Sequence, residues 1–197
     1  RLVVADGANL SNSRTILARL EDLSEGGFAK YGDDAADCQD ASGYVAAAAL
    51  APTVALADSD GAQLVIACLK DTVGNIGFAS DTITLDRVAP SGDVVIDGGA
   101  AFSGDRSLVA AFQNVSADAA TVKTLLRKSS DAALSCSGGT YNAIAASVAL
   151  NIDAAAVAGT FVVDVCFEDA AGNRSALPAS DSILFDATAP TTTIALN

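Results

Sequence analysis

The chain contains no histidine, no tryptophan and no methionine, and only 5% of its 197 residues are aromatic. Without histidine it lacks the commonest general base near neutral pH and the commonest transition-metal ligand. With so few rings it cannot line the cleft that a carboxylate pair needs for glycoside hydrolysis. There is no Gly-x-Ser-x-Gly, P-loop or His-Glu-x-x-His pattern, so no enzyme class is indicated. Positive charge is scarce too: 11 Lys+Arg stand against 24 Asp+Glu, for a formal net charge of −13. Nucleic acid and anionic membranes are therefore excluded as partners, because like charges repel. The longest apolar run, Tyr44 to Ala57, is too short to cross a bilayer and is broken by Pro52. It reads as strand and turn. Glutamate is nearly missing as well: Glu21, Glu25 and Glu168 are the three present, and the other 21 acids are aspartates. Aspartate favours turns, caps and calcium loops over helix interiors, which points to a strand- and loop-rich protein.

What is present is a sentence written twice. Cys38 and Cys68 recur as Cys136 and Cys166, each 98 residues on, and Asp71-x-x-Gly74-Asn75 recurs as Asp169-x-x-Gly172-Asn173 at the same step. "SDTITLD" from Ser80 returns as "SDSILFD" from Ser180, and Ala89-Pro90 as Ala189-Pro190, now 100 apart. The opening "DGANLS" from Asp6 returns as "DGGAAFS" from Asp97. Small loop insertions explain the drift. Two repeat units result, residues 1–90 and 91–190, and residues 191–197 ("TTTIALN") match the opening strand of a unit, as if a third had begun. The chain reads as a slice of a longer tandem array.

Each unit reads as β. In "GTFVVDVCFED" Val163, Val165 and Phe167 alternate with Val162, Asp164, Cys166 and Glu168. In its twin, Val65, Ala67 and Leu69 alternate with Ile66, Cys68 and Lys70. Period two with one polar face marks a half-buried antiparallel strand. "GDVVID", "RSLVAAF", "TVKTLLRK" and "SDSILFD" supply further strands between Asp-Gly, Gly-Asn and Ser-Gly turns. Residues 117–134 have helix propensity, but the matching stretch of the first unit is interrupted by glycine, which favours strand. About seven short strands per hundred residues is the pattern of an immunoglobulin-like β-sandwich. The fold class is all-β, with two such domains in tandem and the first strand of a third repeat.

The repeat also sorts the cysteines. Cys38–Cys68 and Cys136–Cys166 is the one pairing that works unit by unit, each pinning a loop onto the outer face of the penultimate strand. Four buried thiols or a zinc site are the disfavoured alternatives. Disulfides imply an oxidising compartment, hence an extracellular or cell-surface location.

The pattern V-x-F/L-x-D-x-x-G-N, followed by S-D-x-I-x-x-D-x-x-A-P, resembles the bacterial Ig-like repeats of very large surface proteins and adhesins. The resemblance spans both units and the tail. It implies a structural spacer, stalk or filament repeat without catalysis. The alternative is an adhesion module that takes a glycan or host protein through apical loops, where Phe28, Tyr31, Phe78 and Phe102 are the candidate rings. It also implies neighbouring repeats as partners, and Ca²⁺ at a junction of aspartates, with Asp86, Asp118 and Asp169 as ligands. The strand 191–197 itself, read as an orphan with unpaired backbone groups, offers self-association by adding to a neighbouring chain's sheet; the alternative is that it is merely where the chain was cut. The residues themselves read Asp71 and Asp169 first as hairpin-shaping groups. "DDAADCQD" (33–40) and "DSDG" (58–61) read as solvated loops.

Overall fold

A computed structural model describes residues 1–23, 27–50 and 52–192. The chain divides into two units, Arg1–Val88 and Ala89 onward. Each is a sandwich of a three-stranded and a five-stranded sheet.

In the first unit β1 (Leu2–Val4), β3 (Thr15–Leu20) and β6 (Thr53–Ala55) form the small sheet in the order β1-β3-β6. The large sheet runs β2-β8-β7-β4-β5, with β2 (Leu10–Ser11), β4 (Phe28–Gly32), β5 (Val45–Ala46), β7 (Gly61–Lys70) and β8 (Ile76–Leu85). The second unit repeats this. Its small sheet, β9-β11-β14, holds β9 (Asp93–Ile96), β11 (Ser107–Gln113) and β14 (Ser147–Asn151). Its large sheet, β10-β16-β15-β12-β13, holds β10 (Phe102–Ser103), β12 (Ala119–Lys128), β13 (Asn142–Ala143), β15 (Gly159–Asp169) and β16 (Ala179–Phe185). The stretch with helix propensity, residues 117–134, is thus strand β12 flanked by turn and loop.

Eight strands stand where about seven were expected, because the first strand of each unit is cut in two. At Asp6-Gly7 and Asp97-Gly98 the backbone enters the left-handed region (φ 53 and 86, then 44 and 68). The glycine removes the Cβ clash there and the aspartate tolerates it. The chain bends and carries its next residues to the other sheet, where β2 and β10 run parallel to the last strand.

Inward residues of facing sheets build each core. The first is aliphatic: Val4, Ile16, Leu56, Val65, Ile83 and Leu85. The second includes rings, with Phe161 edge-on to Phe185 at 6.1 Å and Phe112 edge-on to Phe167 at 5.9 Å. Edge-to-face pairs add about 0.5–1.5 kcal/mol each beyond area burial. In register, Gln63 and Leu69 occupy the first unit's counterparts of Phe161 and Phe167.

Candidate functional site

The outer face of the large sheet carries the most built feature of each unit, a disulfide-held loop. Cys38 lies in a single 3-10 turn (Ala35–Gln39) after β4, and is bonded to Cys68 on β7, Cα–Cα 5.2 Å. Cys136 lies in the loop after β12, bonded to Cys166 on β15, Cα–Cα 5.4 Å. Both bridges close 30 residues of chain and stay within their own unit.

Two further side chains hold each loop. Lys30 pairs in register with Cys68, and its Nζ donates to the carbonyls of Asp40 (2.8 Å) and Ser42 (3.1 Å). Lys123 pairs with Cys166 and donates to Ser135 (2.7 Å) and Gly138 (3.0 Å). The Tyr44 and Tyr141 hydroxyls donate to the carbonyls of Cys38 (2.9 Å) and Cys136 (2.7 Å). Each ammonium also lies over the tyrosine ring of its unit, at 4.9 and 5.8 Å. The sequence singled out the cysteines but missed this lysine and tyrosine. Variable loop length hides them, since Lys30 to Cys38 is 8 residues and Lys123 to Cys136 is 13.

Beneath the loops the two units differ. In the first, Ile66 joins Cys38 and Cys68 in a small apolar cluster. In the second, the matching position is Asp164, fully buried (0% exposed). Its carboxylate accepts from Arg127 Nε (2.7 Å), the Leu134 amide (2.8 Å) and Ser180 Oγ (2.7 Å). Burial pushes its carboxyl up, but the Arg127 guanidinium and these donors outweigh that and hold it below the usual carboxylate range.

The Asp-x-x-Gly-Asn turns do shape the hairpins. Asp71 accepts from the Val73 and Asn75 amides (2.9 and 2.8 Å) and from Asn75 Nδ2 (2.7 Å), which holds its carboxyl low. Asp169 accepts from the Asn173 amide (2.9 Å) and Nδ2 (2.8 Å). Gly74 and Gly172 take positive φ (98 and 89); Asn75 and Asn173 do not, and serve through their side chains. Ser175, after the second turn, donates to the Pro90 carbonyl (2.9 Å) and accepts from the Phe167 amide (3.0 Å).

Of the three aspartates expected to bind calcium, two belong to the second unit. Asp118 is exposed in the turn before β12, Asp169 is buried at the end of β15, and their carboxylate oxygens lie within 4.8 Å of one another. Asp86 belongs to the first unit, where it follows β8 and accepts from the Val88 amide (3.1 Å). Asp186 does the same for Thr188 (2.8 Å). Arg87, beside Asp86, turns to the "DSDG" loop, bonding Asp60 at 2.6 Å and Asp58 at 2.7 Å. That loop is an arginine clamp as well as a solvated turn. Of strand 191–197, residues 193–197 lie outside the described residues.

The SD motif holds a group that sequence reasoning did not isolate. Asp81 on β8 accepts the Val4 amide of β1 (3.0 Å), and Asp181 on β16 accepts the Ile96 amide of β9 (2.7 Å). Each ties the first strand of one sheet to the last strand of the other.

No family model matches the chain, and no curated protein does. Among solved structures it is similar to the fibronectin(III)-like modules of Clostridium thermocellum CbhA, at 12% identity over all of both chains, TM-score 0.47. It is also similar to the FN1–FN3 domains of chicken CNTN1, at 12% identity, covering 93% of this chain and 66% of that one, TM-score 0.48. A tetra-tandem repeat from the extending region of a large adhesion protein matches at 19% identity, with 94% of this chain and 48% of that chain covered, TM-score 0.32. The strand topology described above establishes the immunoglobulin-like fold independently of these likenesses. Among the described residues, no helix is long and apolar enough to cross a membrane.

Proposed function

We propose that the chain is a load-bearing spacer of a large extracellular surface protein and does no chemistry. One observation carries this. In each unit the strand near the beginning and the strand at the end lie side by side and parallel: β2 with β8 (Leu10↔Thr84, Ser11↔Leu85) and β10 with β16 (Phe102↔Leu184, Ser103↔Phe185). The Thr84 and Asp86 amides donate to Asn9 and Ser11, and those of Leu184 and Asp186 to Ala101 and Ser103. Tension applied through the two ends pulls parallel neighbours in opposite directions. The bonds between them are then loaded together in shear and not opened one by one. The Asp81 and Asp181 ties add to the same seam. Each disulfide further removes 30 residues from the length a unit can yield. Force spectroscopy on the chain tests this. Leu184→Pro removes the amide that bonds Ala101 and lowers the unfolding force of the second unit alone; an unchanged force overturns the shear reading.

The adhesion alternative rests on exposed rings. Phe28, Phe78 and Phe102 are exposed, whereas the Tyr31 hydroxyl is engaged with the Ala18 carbonyl (3.1 Å).

Calcium is part of the same proposal. Asp118 and Asp169 offer a close pair of hard oxygen ligands, the chemistry Ca²⁺ takes. Asp86 is the third ligand that the sequence supplies. Bound calcium would neutralise carboxylates that otherwise repel. The expected result is a melting temperature that rises with Ca²⁺, falls with EDTA, and is indifferent to both in Asp118→Asn/Asp169→Asn. No shift in the parent chain refutes it.

A further inference from the structure

The last strand of the first unit has an open edge, whereas the second unit protects the equivalent edge of its own last strand. Strand β8 pairs with β7 without interruption from Ile76 to Leu85, but β2 covers its other side only at Thr84 and Leu85. The Thr84 and Asp86 amides point to that side, toward Asn9 and Ser11. Alternation in an unbroken ladder therefore turns the amides and carbonyls of Ile76, Phe78 and Ser80 the same way. The Thr82 amide is occupied by the Asp81 carboxylate (2.9 Å). Among the described residues none bonds the edge groups of Ile76, Phe78 or Ser80.

Natural edge strands are blunted by charge, proline or a bulge. The second unit does this. After Asn173 it reads Arg174-Ser-Ala-Leu-Pro178, and β16 starts only at Ala179. The first unit reads Ile76-Gly-Phe-Ala-Ser80, in strand throughout. No residue from Thr72 to Ser80 is charged, in a chain that is 18% charged. Phe78 is 60% exposed and Ile76 40%. The two units share one fold, so the fold does not require this unprotected edge.

We infer that this edge pairs with the same edge of a second copy of the chain, in antiparallel register about a two-fold axis at Phe78. A strand running antiparallel to itself is self-complementary, so one surface serves both partners. Centred on Phe78, Ile76 faces the partner's Ser80 and Phe78 faces the partner's Phe78. The outward amides and carbonyls of these residues then form three pairs that each exchange two bonds, six in all by the antiparallel pattern of about two bonds per bonded pair. The paired stretch holds no charge, so two acidic chains meet where neither repels the other locally. Away from it they do repel, each with a net charge of −13, and salt screens that repulsion. A contact of one short edge falls below the ~1,200 Å² of stable interfaces, so the dimer is weak and reversible and would join stalks laterally at high local density.

Sedimentation equilibrium of the 197-residue chain, at rising protein concentration and in low and high NaCl, tests this. The expected result is a reversible dimer that tightens with salt. Phe78→Lys places like charges across the axis, and Ser80→Pro removes an outward amide that β7 does not use. Each should weaken the dimer at least ~10-fold: Ser80→Pro removes two of the six bonds, one from each copy, and Phe78→Lys sets two ammonium groups directly opposite one another where two apolar rings had met. Hydrogen exchange on the parent chain reads the site independently of whether a variant folds: the Phe78 and Ser80 amides should gain protection as concentration rises. A chain that stays monomeric at every concentration overturns the proposal. So does a dimer that forms without protecting those two amides, including one built through residues 191–197.

Discussion

Removing the Cys38–Cys68 bridge by the double substitution Cys38→Ala/Cys68→Ala should cost the first unit most of its stability. The bridge closes 30 residues. The chain-entropy relation for a loop of that size gives about 3.6 kcal/mol at 25 °C, acting on the unfolded chain. The Lys30 and Tyr44 tethers do not offset this, because they act in the folded state with or without the sulfur link. At about 2.1 cal/mol/K per residue, a unit of 88 residues has an unfolding entropy near 185 cal/mol/K. The loss therefore corresponds to a fall in melting temperature of about 20 °C. This unit has the aliphatic core, without the edge-to-face ring pairs of the second, so it should be the lower-melting of the two. Scanning calorimetry of parent and variant should show the lower transition moving down by that amount while the upper one stays. Urea titration should show a larger m-value for the variant's first unit, because its unfolded chain exposes more surface. A fall below ~1 kcal/mol, or a shift in the second unit's transition, would refute the assignment of the bridge as that unit's main staple.

The second unit should respond instead to its buried ion pair. Arg127→Ala strands the Asp164 carboxylate, 0% exposed, and should cost about 3–5 kcal/mol by urea titration, whereas the paired change Arg127→Met/Asp164→Leu should cost much less. Because the folded carboxyl of Asp164 lies below its unfolded value of about 3.9, its contribution is complete above that pH and disappears as pH falls through the folded value. Acid titration of stability should thus be steeper for the second unit than for Asp164→Asn, which should flatten it. Asp181→Ala removes the acceptor for the Ile96 and Ser182 amides and should cost about 1.5–3 kcal/mol by thermal melt, in the second unit alone.

Much of this architecture was written in the sequence because it was written twice. The 98-residue steps of Cys38 to Cys136 and Cys68 to Cys166 fixed which sulfurs share a unit, and period two in residues 61–70 and 159–169 marked the penultimate strands. What stayed hidden was what the repeats do not share, or share at shifting distance. Asp164 stands where the first unit has Ile66, so no repeat flagged it, and its partner Arg127 is placed by a cross-strand register and not by spacing. Asp81 and Asp181 recur faithfully, yet an aspartate in an alternating strand reads as solvent-facing. Only the crossing of β1 over β8 gives it an amide to hold. The open edge of β8 is legible only as a missing proline and a missing charge beside the second unit, once topology shows which strand lies at the edge.

The most direct measurement is the contour length released when the chain is pulled from its ends, before and after reduction. Two separately stapled, shear-loaded modules predict two unfolding steps at high force, each lengthening by about 100 Å once the 30 residues behind its disulfide are freed. A single merged step, or two steps whose length reductant leaves unchanged, would contradict them.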